Sequence, residues 1–204
     1  VIVNRDYGIY DALNHALKHT DGDVIGVLHS GDMFVSSDVT SVIMHYFNCD
    51  EDLDIAWGDI RFSKLEPNSG NRIIERFWRS SAYMPRKLKY GWMPPHTGIF
   101  VRKRLLQKNE LLYDSSYKIS GDYDWILKIL KNCKKTKYIP MCITDMKLGG
   151  ASNGSFTKQY QKFLEDYSIL KNNNFEYPFL TSIMKRVRKV PQYLKRTKTD
   201  SSTW

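Results

Sequence analysis

The sequence feature that most constrains the fold is a short apolar run, Val-Ile-Gly-Val-Leu, at residues 24–28. Its nearly continuous apolar character predicts a strand with both faces covered, as in the centre of a parallel or mixed sheet. Apolar residues recur at helical spacing over residues 9–19, and residues 1–3 form a further strand pattern. Strand, helix and strand in this order make a βαβ unit, so the sequence predicts an α/β fold.

The patterns that follow predict a mixed sheet flanked by helices. The predicted strands are residues 54–62, 72–74, 98–101 and 137–140, and the predicted helices are residues 39–47, 122–131 and 160–170. A turn at residues 68–71 joins the first two of these strands as a hairpin, and Pro140 favours an edge position for the last strand. Residues 79–95 are irregular and basic, and a long loop of this kind in a compact domain is usually functional or mobile.

The chain is long enough for one domain with an extension, since it has 204 residues. Glycine, alanine, serine and asparagine at residues 149–154 predict a flexible joint. We therefore divide the chain into an α/β domain over residues 1–152 and a helical, basic extension over residues 153–204. No signal-peptide pattern and no apolar stretch of membrane-spanning length occurs in the sequence.

Charge and cysteine content narrow the class of protein. The net charge is +9, and seven Lys and Arg residues against one acid lie after residue 178, so most of the excess belongs to one tail. This local distribution, with no recognised nucleic-acid motif, argues against a nucleic-acid partner. The three cysteines are scattered without metal-ligand spacing, which is typical of a reducing compartment rather than of a disulfide framework.

The tail predicts an interfacial helix. Its apolar residues recur at helical spacing, and its basic residues fall mostly between them. The apolar residues are Leu180, Ile183, Met184, Val187 and Val190, and the basic residues are Lys185, Arg186, Arg188 and Lys189. We expect this segment to dock on an anionic membrane surface without crossing it. The alternative is that the apolar residues pack on the rest of the protein and the charges are merely solvated.

Asp32 ends the polar loop that follows the apolar run of residues 24–28. Ligands of α/β sheets bind beyond the carboxyl ends of strands. A carboxylate at that place can hold a hard divalent cation, which in turn neutralises a diphosphate. The alternative is a turn aspartate that caps its own backbone.

Two further groups of residues are candidates for a catalytic role, and each also has a structural explanation. Asp122 and Asp124 stand at the start of a predicted helix, where a carboxylate is stabilised by the helix dipole and can be a simple cap. Because they are two residues apart, they point to different sides of the helix and need not share a role. His96 follows two prolines, and a lone histidine is more often a hydrogen-bonded structural residue than a catalytic one.

Taken together, these segments resemble the family 2 glycosyltransferases of the GT-A type. The resemblance rests on Asp-x-Gly-Ile-Tyr-Asp-Ala-x-Asn at 6–14, Gly-Asp-Val-Ile-Gly-x-Leu-x-Ser-x-Asp at 22–32, Pro-Pro-His-Thr-Gly-x-Phe-Val-Arg at 94–102, Asp-Tyr-Asp at 122–124 and Gly-Gly-x-Ser at 149–152. It covers about three quarters of the chain, in the family's order. The subgroup it most resembles contains bacterial enzymes of capsule, O-antigen lipopolysaccharide and exopolysaccharide synthesis.

The resemblance implies a role for each matching residue. Asp6, Asp11 and Asn14 match a segment that lies beside the nucleotide. Ser30 and Asp32 match the family's metal-binding acidic motif, so Asp32 is the implied ligand of a divalent cation, Mg²⁺ or Mn²⁺. His96 matches a histidine near the acceptor site. Asp124, two residues after Asp122, is also assigned to the acceptor side. Asp122 matches the general base of inverting members.

The sequence also departs from the family pattern. Gly31 stands where the family has the first acid of its metal motif, which implies weaker binding of the metal and the diphosphate. Gly121 stands where many relatives have Glu. Relatives begin with a strand, a loop and a helix that hold the base and the ribose, so we expect that the first βα units of the nucleotide fold are missing here.

The function implied is that of an inverting hexosyltransferase. It would move a sugar from a UDP-linked nucleotide-sugar donor to a lipid-linked or polysaccharide acceptor in cell-surface glycan synthesis. The expected location is the cytoplasmic side, peripheral at the inner face of the plasma membrane. The alternative is an inactive or partial glycosyltransferase that acts as a binding module, which Gly31 and the absent first units favour.

Overall fold

The computed structural model describes residues 7–66, 70–148 and 156–194. In the described residues the helices are α1 Ile9–His19, α2 Val39–Cys49, α3 Pro85–Leu88, α4 Lys103–Lys108, α5 Gly121–Asn132, α6 Phe156–Asn172, α7 Pro178–Val187 and α8 Val190–Leu194, with a 3-10 turn at His96–Gly98. The strands are β1 Val24–Gly26, β2 Met33–Phe34, β3 Leu53–Leu65, β4 Arg72–Trp78, β5 Ile99–Arg102 and β6 Lys135–Lys147. The predicted strand at residues 1–3 and the predicted joint at 149–154 lie outside these residues.

The six described strands form one mixed sheet. Its order is β1-β5-β3-β6-β2, and β4 pairs with β3 beyond the end of β5. Strands β3 and β6 run parallel, and all other neighbours are antiparallel. The mixed sheet with flanking helices was predicted, and so were the hairpin of β3 and β4 and the buried strand β5.

One strand prediction was wrong in position. The run at residues 24–28 was expected in the centre of the sheet, but β1 pairs only with β5 among the described strands and so lies at an edge. Its apolar run is explained by Ile25, which packs into the core, while Gly26 is exposed. Residues 137–140 were expected at an edge, and among the described strands they pair only with β3, because β2 pairs with β6 further along, at Thr144 and Asp145.

Pro140 is tolerated in β6 because the strand is irregular there, and because β2 pairs with β6 only at Thr144 and Asp145. Tyr138 lies opposite Trp57 and Cys142 opposite Asp59, so three residues of β6 face the single residue Gly58. A bulge of this kind removes the demand for a ladder hydrogen bond from the proline. A Cβ at Gly58 would lie 2.6 Å from the carbonyl oxygen of Met141, so the bulge also requires a glycine on the partner strand.

The sheet separates two hydrophobic layers. Alternation along β3 directs Ile55 and Trp57 to one face and Ala56 to the other. The larger layer is formed by α5, α6 and the aromatic residues of the loop before β5, and the smaller one by α2. Helices therefore cover both faces of the sheet.

The C-terminal helices pack against the rest of the protein around a buried ion pair. Asp166 of α6 and Lys185 of α7 are 1% and 5% exposed, and the lysine Nζ lies 2.7 Å from the carboxylate. Arg186 approaches the second carboxylate oxygen at 3.3 Å, and Lys185 also stacks over the ring of Tyr123 in α5. Although burial opposes ionisation of Asp166, these two cations hold its pKa below the usual value.

This packing corrects one part of the tail prediction. Lys185 was expected to face an anionic membrane, but it lies inside the protein with Asp166. The buried side of α7 is polar, formed by Thr181, Ser182 and Lys185. The apolar side chains of Leu180, Ile183 and Val187 lie 54%, 37% and 50% exposed. None of the helices in the described ranges has the length and apolar character needed to cross a membrane.

We predict that Asp166→Asn lowers the free energy of unfolding by about 3–5 kcal/mol, because it leaves the Lys185 ammonium buried without a carboxylate. Urea unfolding followed by circular dichroism measures the change. Asp52→Asn, which removes an exposed carboxylate, is the matched control. The double variant Asp166→Asn/Lys185→Met should regain part of the loss, and a double variant as unstable as the single one would contradict the explanation.

Candidate active site

Asp32 is held in a tight turn that follows β1. The Asp32 N–H donates to the His29 carbonyl at 3.0 Å, and Gly31 is the third residue of this turn with φ of 87°. A positive φ at that position is what a type II turn requires, and glycine adopts it without steric cost. The departure from the family's acidic motif at Gly31 therefore has a local structural reason.

The carboxylate of Asp32 does not cap its own turn. Its Oδ1 accepts a hydrogen bond of 2.9 Å from the N–H of Lys147, at the end of β6. Its Oδ2 is buried and has no hydrogen-bond partner among the described residues. Burial raises the pKa of Asp32 above its usual value. A buried, unpaired carboxylate oxygen is a group that a cation would satisfy.

An unpredicted arginine–aspartate cluster fastens this turn to the β3–β4 hairpin. Asp145 of β6 is 1% exposed and pairs with Arg61 at 3.0 Å and with Arg72 at 3.3 Å. Arg72 also donates to the Gly31 carbonyl at 2.6 Å. The Arg72 guanidinium thus supports the Asp32 turn, and no pattern in the sequence could pair residues that lie so far apart in the chain.

Two histidines connect the Asp32 turn to the interior. The rings of His29 and His96 stack with centroids 5.6 Å apart. His96 is 9% exposed, and its Nε2 lies 2.8 Å from the hydroxyl of Tyr113. Burial lowers the pKa of His96 to about 4, although the negative charge of Asp122 opposes this shift. His96 is therefore neutral at physiological pH.

Asp122 lies in the first turn of α5. It is half-buried, and its Oδ1 accepts a hydrogen bond of 2.8 Å from the N–H of Tyr123. Its charge acts on His96 and on Tyr113, whose pKa is raised by burial first and by Asp122 second. The charge of His29 lowers the pKa of Asp32, against the larger effect of burial. The two predicted acids thus each interact electrostatically with one residue of the stacked histidine pair, and their placement in one cleft stays a prediction.

The segment before Asp122 is fixed by α6 and α1. Glu165 accepts hydrogen bonds from the N–H groups of residues 118–120 at 3.2, 2.9 and 2.8 Å. The Tyr10 hydroxyl donates to the Ile119 carbonyl at 2.7 Å. A Cβ at Gly121 would lie 2.8 Å from the Tyr10 ring, so the ring occupies the space that a larger residue would need. This contact explains why position 121 is a glycine.

The other predicted nucleotide-binding residues make local contacts. Asn14 bonds to the backbone of Tyr113 twice, donating to its carbonyl and accepting from its N–H, both at 2.8 Å. Asp11 accepts from the N–H of Tyr7 at 3.1 Å, and Ser30 is exposed in the turn before Asp32. Asp6 lies outside the described residues. A role of these four residues toward a nucleotide stays a prediction.

Asp124 has a different environment from Asp122. It is 5% exposed and forms an ion pair of 2.6 Å with Lys128, one turn later on α5. In the described part of the chain, its contacts do not connect it to His96 or Asp122. The two acids therefore have separate surroundings, as their spacing predicts, and the acceptor-side role of Asp124 stays a prediction.

The fold that carries this site is shared with solved structures. The chain is similar in fold to S. aureus TarS. The TarS 1–349 structure aligns with a TM-score of 0.58 at 15% identity, covering 94% of this chain and 56% of that one. Its complex with UDP-GlcNAc aligns with a TM-score of 0.61 at 14% identity, covering 96% and 58%, and its complex with UDP with 0.53 at 13%, covering 92% and 58%.

These likenesses confirm the predicted GT-A-like fold, a mixed sheet with flanking helices. The chain spans 56–58% of the length of TarS 1–349. No protein-family model matches the sequence, and no curated protein matches it.

The residues around Asp32 fit a divalent cation that is shared with a bound diphosphate. No group of three His, Cys, Asp or Glu side chains suited to a metal occurs in the described ranges, so the protein alone does not provide a cage. Mg²⁺ is commonly held by one or two carboxylates together with substrate phosphates and water. The unpaired Oδ2 of Asp32 suits the first of these ligands.

We predict that His96 makes stability fall in mild acid. Because its folded-state pKa of about 4 lies below the ordinary histidine pKa of 6.5, its contribution is complete above pH 6.5 and is lost as the pH falls toward 4. The loss is about 3 kcal/mol. Urea unfolding of the wild type and of His96→Gln at both ends of this range measures it, since the glutamine does not titrate. The exposed His45→Gln is the control, and equal acid sensitivity of the wild type and His96→Gln would contradict the prediction.

Proposed function

We propose that this protein is an inverting glycosyltransferase of family 2 type, which transfers a sugar from a UDP-linked nucleotide-sugar donor. The proposed acceptor is a lipid-linked or polysaccharide glycan of the cell surface, such as capsule or lipopolysaccharide. The shared fold with S. aureus TarS, whose structures include complexes with UDP and UDP-GlcNAc, supports a nucleotide-sugar donor. The motif resemblance of residues 6–152 supports the family and subgroup.

The observation that carries the proposal is the placement of Asp122. It lies half-buried at the start of α5, and its charge acts on His96, whose ring stacks on that of His29, the first residue of the Asp32 turn. Separate elements hold the two acids: Lys147 and Arg72 contact the Asp32 turn, and Glu165 and Tyr10 bond to the segment before Asp122. In this proposal a donor at Asp32 and an acceptor at Asp122 meet between these two supported carboxylates.

In the proposed reaction, Asp122 accepts the proton of an acceptor hydroxyl as that oxygen attacks the anomeric carbon of the donor sugar. The bond from the anomeric carbon to the diphosphate oxygen breaks at the same time, and the electron pair leaves with the nucleoside diphosphate. Attack from the face opposite the leaving group inverts the configuration. His96 and Tyr113 stay neutral and hold each other in place through the contact between Nε2 and the hydroxyl.

The cofactor we propose is Mg²⁺ or Mn²⁺ at Asp32, with Oδ2 as its protein ligand. A divalent cation bound there neutralises negative charge on the leaving diphosphate. Arg72 donates a hydrogen bond to the same turn, and its positive charge lowers the pKa of Asp32. The protein thus places positive charge on the side of the cleft where the nucleoside diphosphate would depart.

A second candidate function is that of a binding module without transfer activity. The observation that favours it is the single carboxylate of the Asp32 turn, since Gly31 replaces the other acid of the family motif. Such a protein would bind the donor and leave it intact. Nucleotide release from UDP-sugars in the full-length protein distinguishes the two candidates.

We predict that Asp122→Asn reduces transfer on the order of 10²-fold or more, because the amide keeps the shape but cannot accept the proton. The measurement is UDP release in the presence of acceptor, with the full-length protein. Asp38→Asn is the matched control, because Asp38 is also a carboxylate at a helix N-terminus but is exposed at the start of α2. Near-normal turnover of Asp122→Asn with intact folding would remove Asp122 from the role of base.

We further propose that the protein docks peripherally on the inner face of the plasma membrane through α7 and α8. The outward side of these helices carries Phe179, Leu180, Ile183, Val187 and Val190, which lie between 37% and 59% exposed. This exposure argues against the alternative that they pack on the domain. An apolar row on the outside of a helix, next to exposed Arg188, is typical of an interfacial helix.

We predict that Leu180→Ser/Ile183→Ser/Val187→Ser weakens binding to phosphatidylglycerol-containing vesicles at least about tenfold. Each half-exposed side chain contributes roughly 1 kcal/mol when it enters the interface, and the polar side of α7 is unchanged. Co-sedimentation measures the binding. The triple variant Met44→Ser/Ile73→Ser/Leu112→Ser removes exposed apolar side chains elsewhere and should bind as the wild type does. Equal binding of both triple variants would contradict the docking proposal.

A further inference from the structure

A concave site lies between the end of β4, the loop before β5 and helices α7 and α8. Its volume is about 290 Å³, near the lower end of the range for small-ligand pockets. Its lining includes Trp78, Ser80 and the cations Arg79, Lys87, Lys185, Arg188 and Lys189. We call this site the cationic pocket.

The cationic pocket has a strong excess of positive charge. Five of its lining residues are Lys or Arg, and its described lining includes no Asp or Glu. Lys185 is neutralised by Asp166, and Lys87 donates to the Ser81 hydroxyl at 3.0 Å. Arg79, Arg188 and Lys189 add their charge from two walls of the pocket. Several cations around one small cavity favour a phosphate group as its ligand.

Lys189 and Ser80 show that the pocket holds unsatisfied polar groups. Lys189 lies over the Trp78 ring, 5.1 Å from the centroid, and burial lowers its pKa to about 7. The charges of Lys162 and Lys185 lower this pKa further, while those of Asp122 and Asp166 oppose the shift. The Ser80 hydroxyl oxygen is buried and lacks a hydrogen-bond partner within the described ranges. A bound anion would satisfy both groups.

The pocket lies within reach of Asp122 but far from the Asp32 turn. The negative charge of Asp122 raises the pKa of both Lys185 and Lys189, against the larger effect of burial. Arg72, which bonds to the Asp32 turn, and Trp78, which lines the pocket, stand at opposite ends of β4. Six residue steps along a strand span about 20 Å. A diphosphate bound at Asp32 therefore does not extend into the pocket.

We infer that the cationic pocket binds a phosphate group carried by the acceptor and so places the acceptor hydroxyl at Asp122. This inference rests on the proposed glycosyltransferase function. The same phosphate chemistry has two sources: the diphosphate of a lipid-linked sugar, or the phosphodiester of a polyol-phosphate polymer. The pocket thereby selects acceptors by charge, separately from the donor.

The test compares three probes on the full-length protein by isothermal titration calorimetry. The probes are a sugar linked to farnesyl diphosphate, a glycerol-phosphate oligomer joined by phosphodiesters, and UDP with Mg²⁺. The pocket variant is Arg188→Gln/Lys189→Gln, and the matched control is Arg86→Gln/Lys171→Gln, which removes the same charge from exposed positions outside the pocket. Arg79→Gln, on the opposite wall, serves as a second variant in case the first does not fold.

We expect at least one of the first two probes to bind the wild type, and the stronger one identifies the source of the phosphate. The pocket variant should weaken that probe about tenfold or more, since each lost charged hydrogen bond has an effect of this size, while UDP binding changes less than about twofold. Arg79→Gln should weaken the same probe, and the control should not. For the phosphodiester, which does not titrate near neutrality, binding should weaken from about pH 6 to 8.5 in the wild type but not with Lys189→Gln.

Three results would overturn the inference. Neither phosphate probe binds the wild type, or the pocket variants bind the stronger phosphate probe as tightly as the wild type does. In the third, the pocket variants lose UDP binding to the same extent as binding of that phosphate probe. The last result would make the cationic pocket part of the donor site. Failure of the wild type to bind UDP, with phosphate binding intact and sensitive to the pocket variants, would instead overturn the proposed donor chemistry and leave the anion site in place.

Discussion

Two neighbouring carboxylates on α6 fix the start of α5 and the position of α7. Glu165 accepts three backbone N–H groups of residues 118–120 and so sets the start of α5, where Asp122 lies. Asp166 holds Lys185 and Arg186 and so places α7, which forms one wall of the cationic pocket and carries the apolar row. Because these residues are adjacent on one helix, the positions of Asp122 and of the pocket depend on each other.

The sequence predicted the elements better than their arrangement. Local apolar periodicity predicted α1, α2, β3, β5 and α5 closely, because amphipathic helices and buried strands depend on near neighbours. It could not show that β1 lies at an edge or that β6 continues past a bulge at Pro140 to pair with β2, since strand order and bulges depend on distant partners. The polar buried side of α7 was also missed, because an ion pair with Asp166 overrides the apolar pattern.

In the candidate site, too, the sequence predicted individual residues better than their arrangement. The motifs predicted Asp32, His96 and Asp122, and in the structure His29 acts electrostatically on Asp32, and Asp122 on His96, within one stacked histidine pair. The cluster of Asp145 with two arginines and the cationic pocket had no signal in the sequence, because their members come from strands and helices far apart in the chain. Asn14 illustrates the converse: it matches a motif, yet both ends of its amide bond to the Tyr113 backbone.

The burial of His96 has a chemical consequence for Asp122. An imidazolium beside Asp122 would stabilise the carboxylate and make it a weaker base. Burial among Tyr113, Trp125 and His29 keeps the imidazole neutral instead, with a pKa of about 4. The nearby positive charge then comes from Lys185, which Asp166 neutralises, and from Lys189, whose own pKa is lowered to about 7. The fold thus gathers its cations in the pocket for which we propose a phosphate ligand, while limiting their effect on the carboxylate for which we propose the role of base.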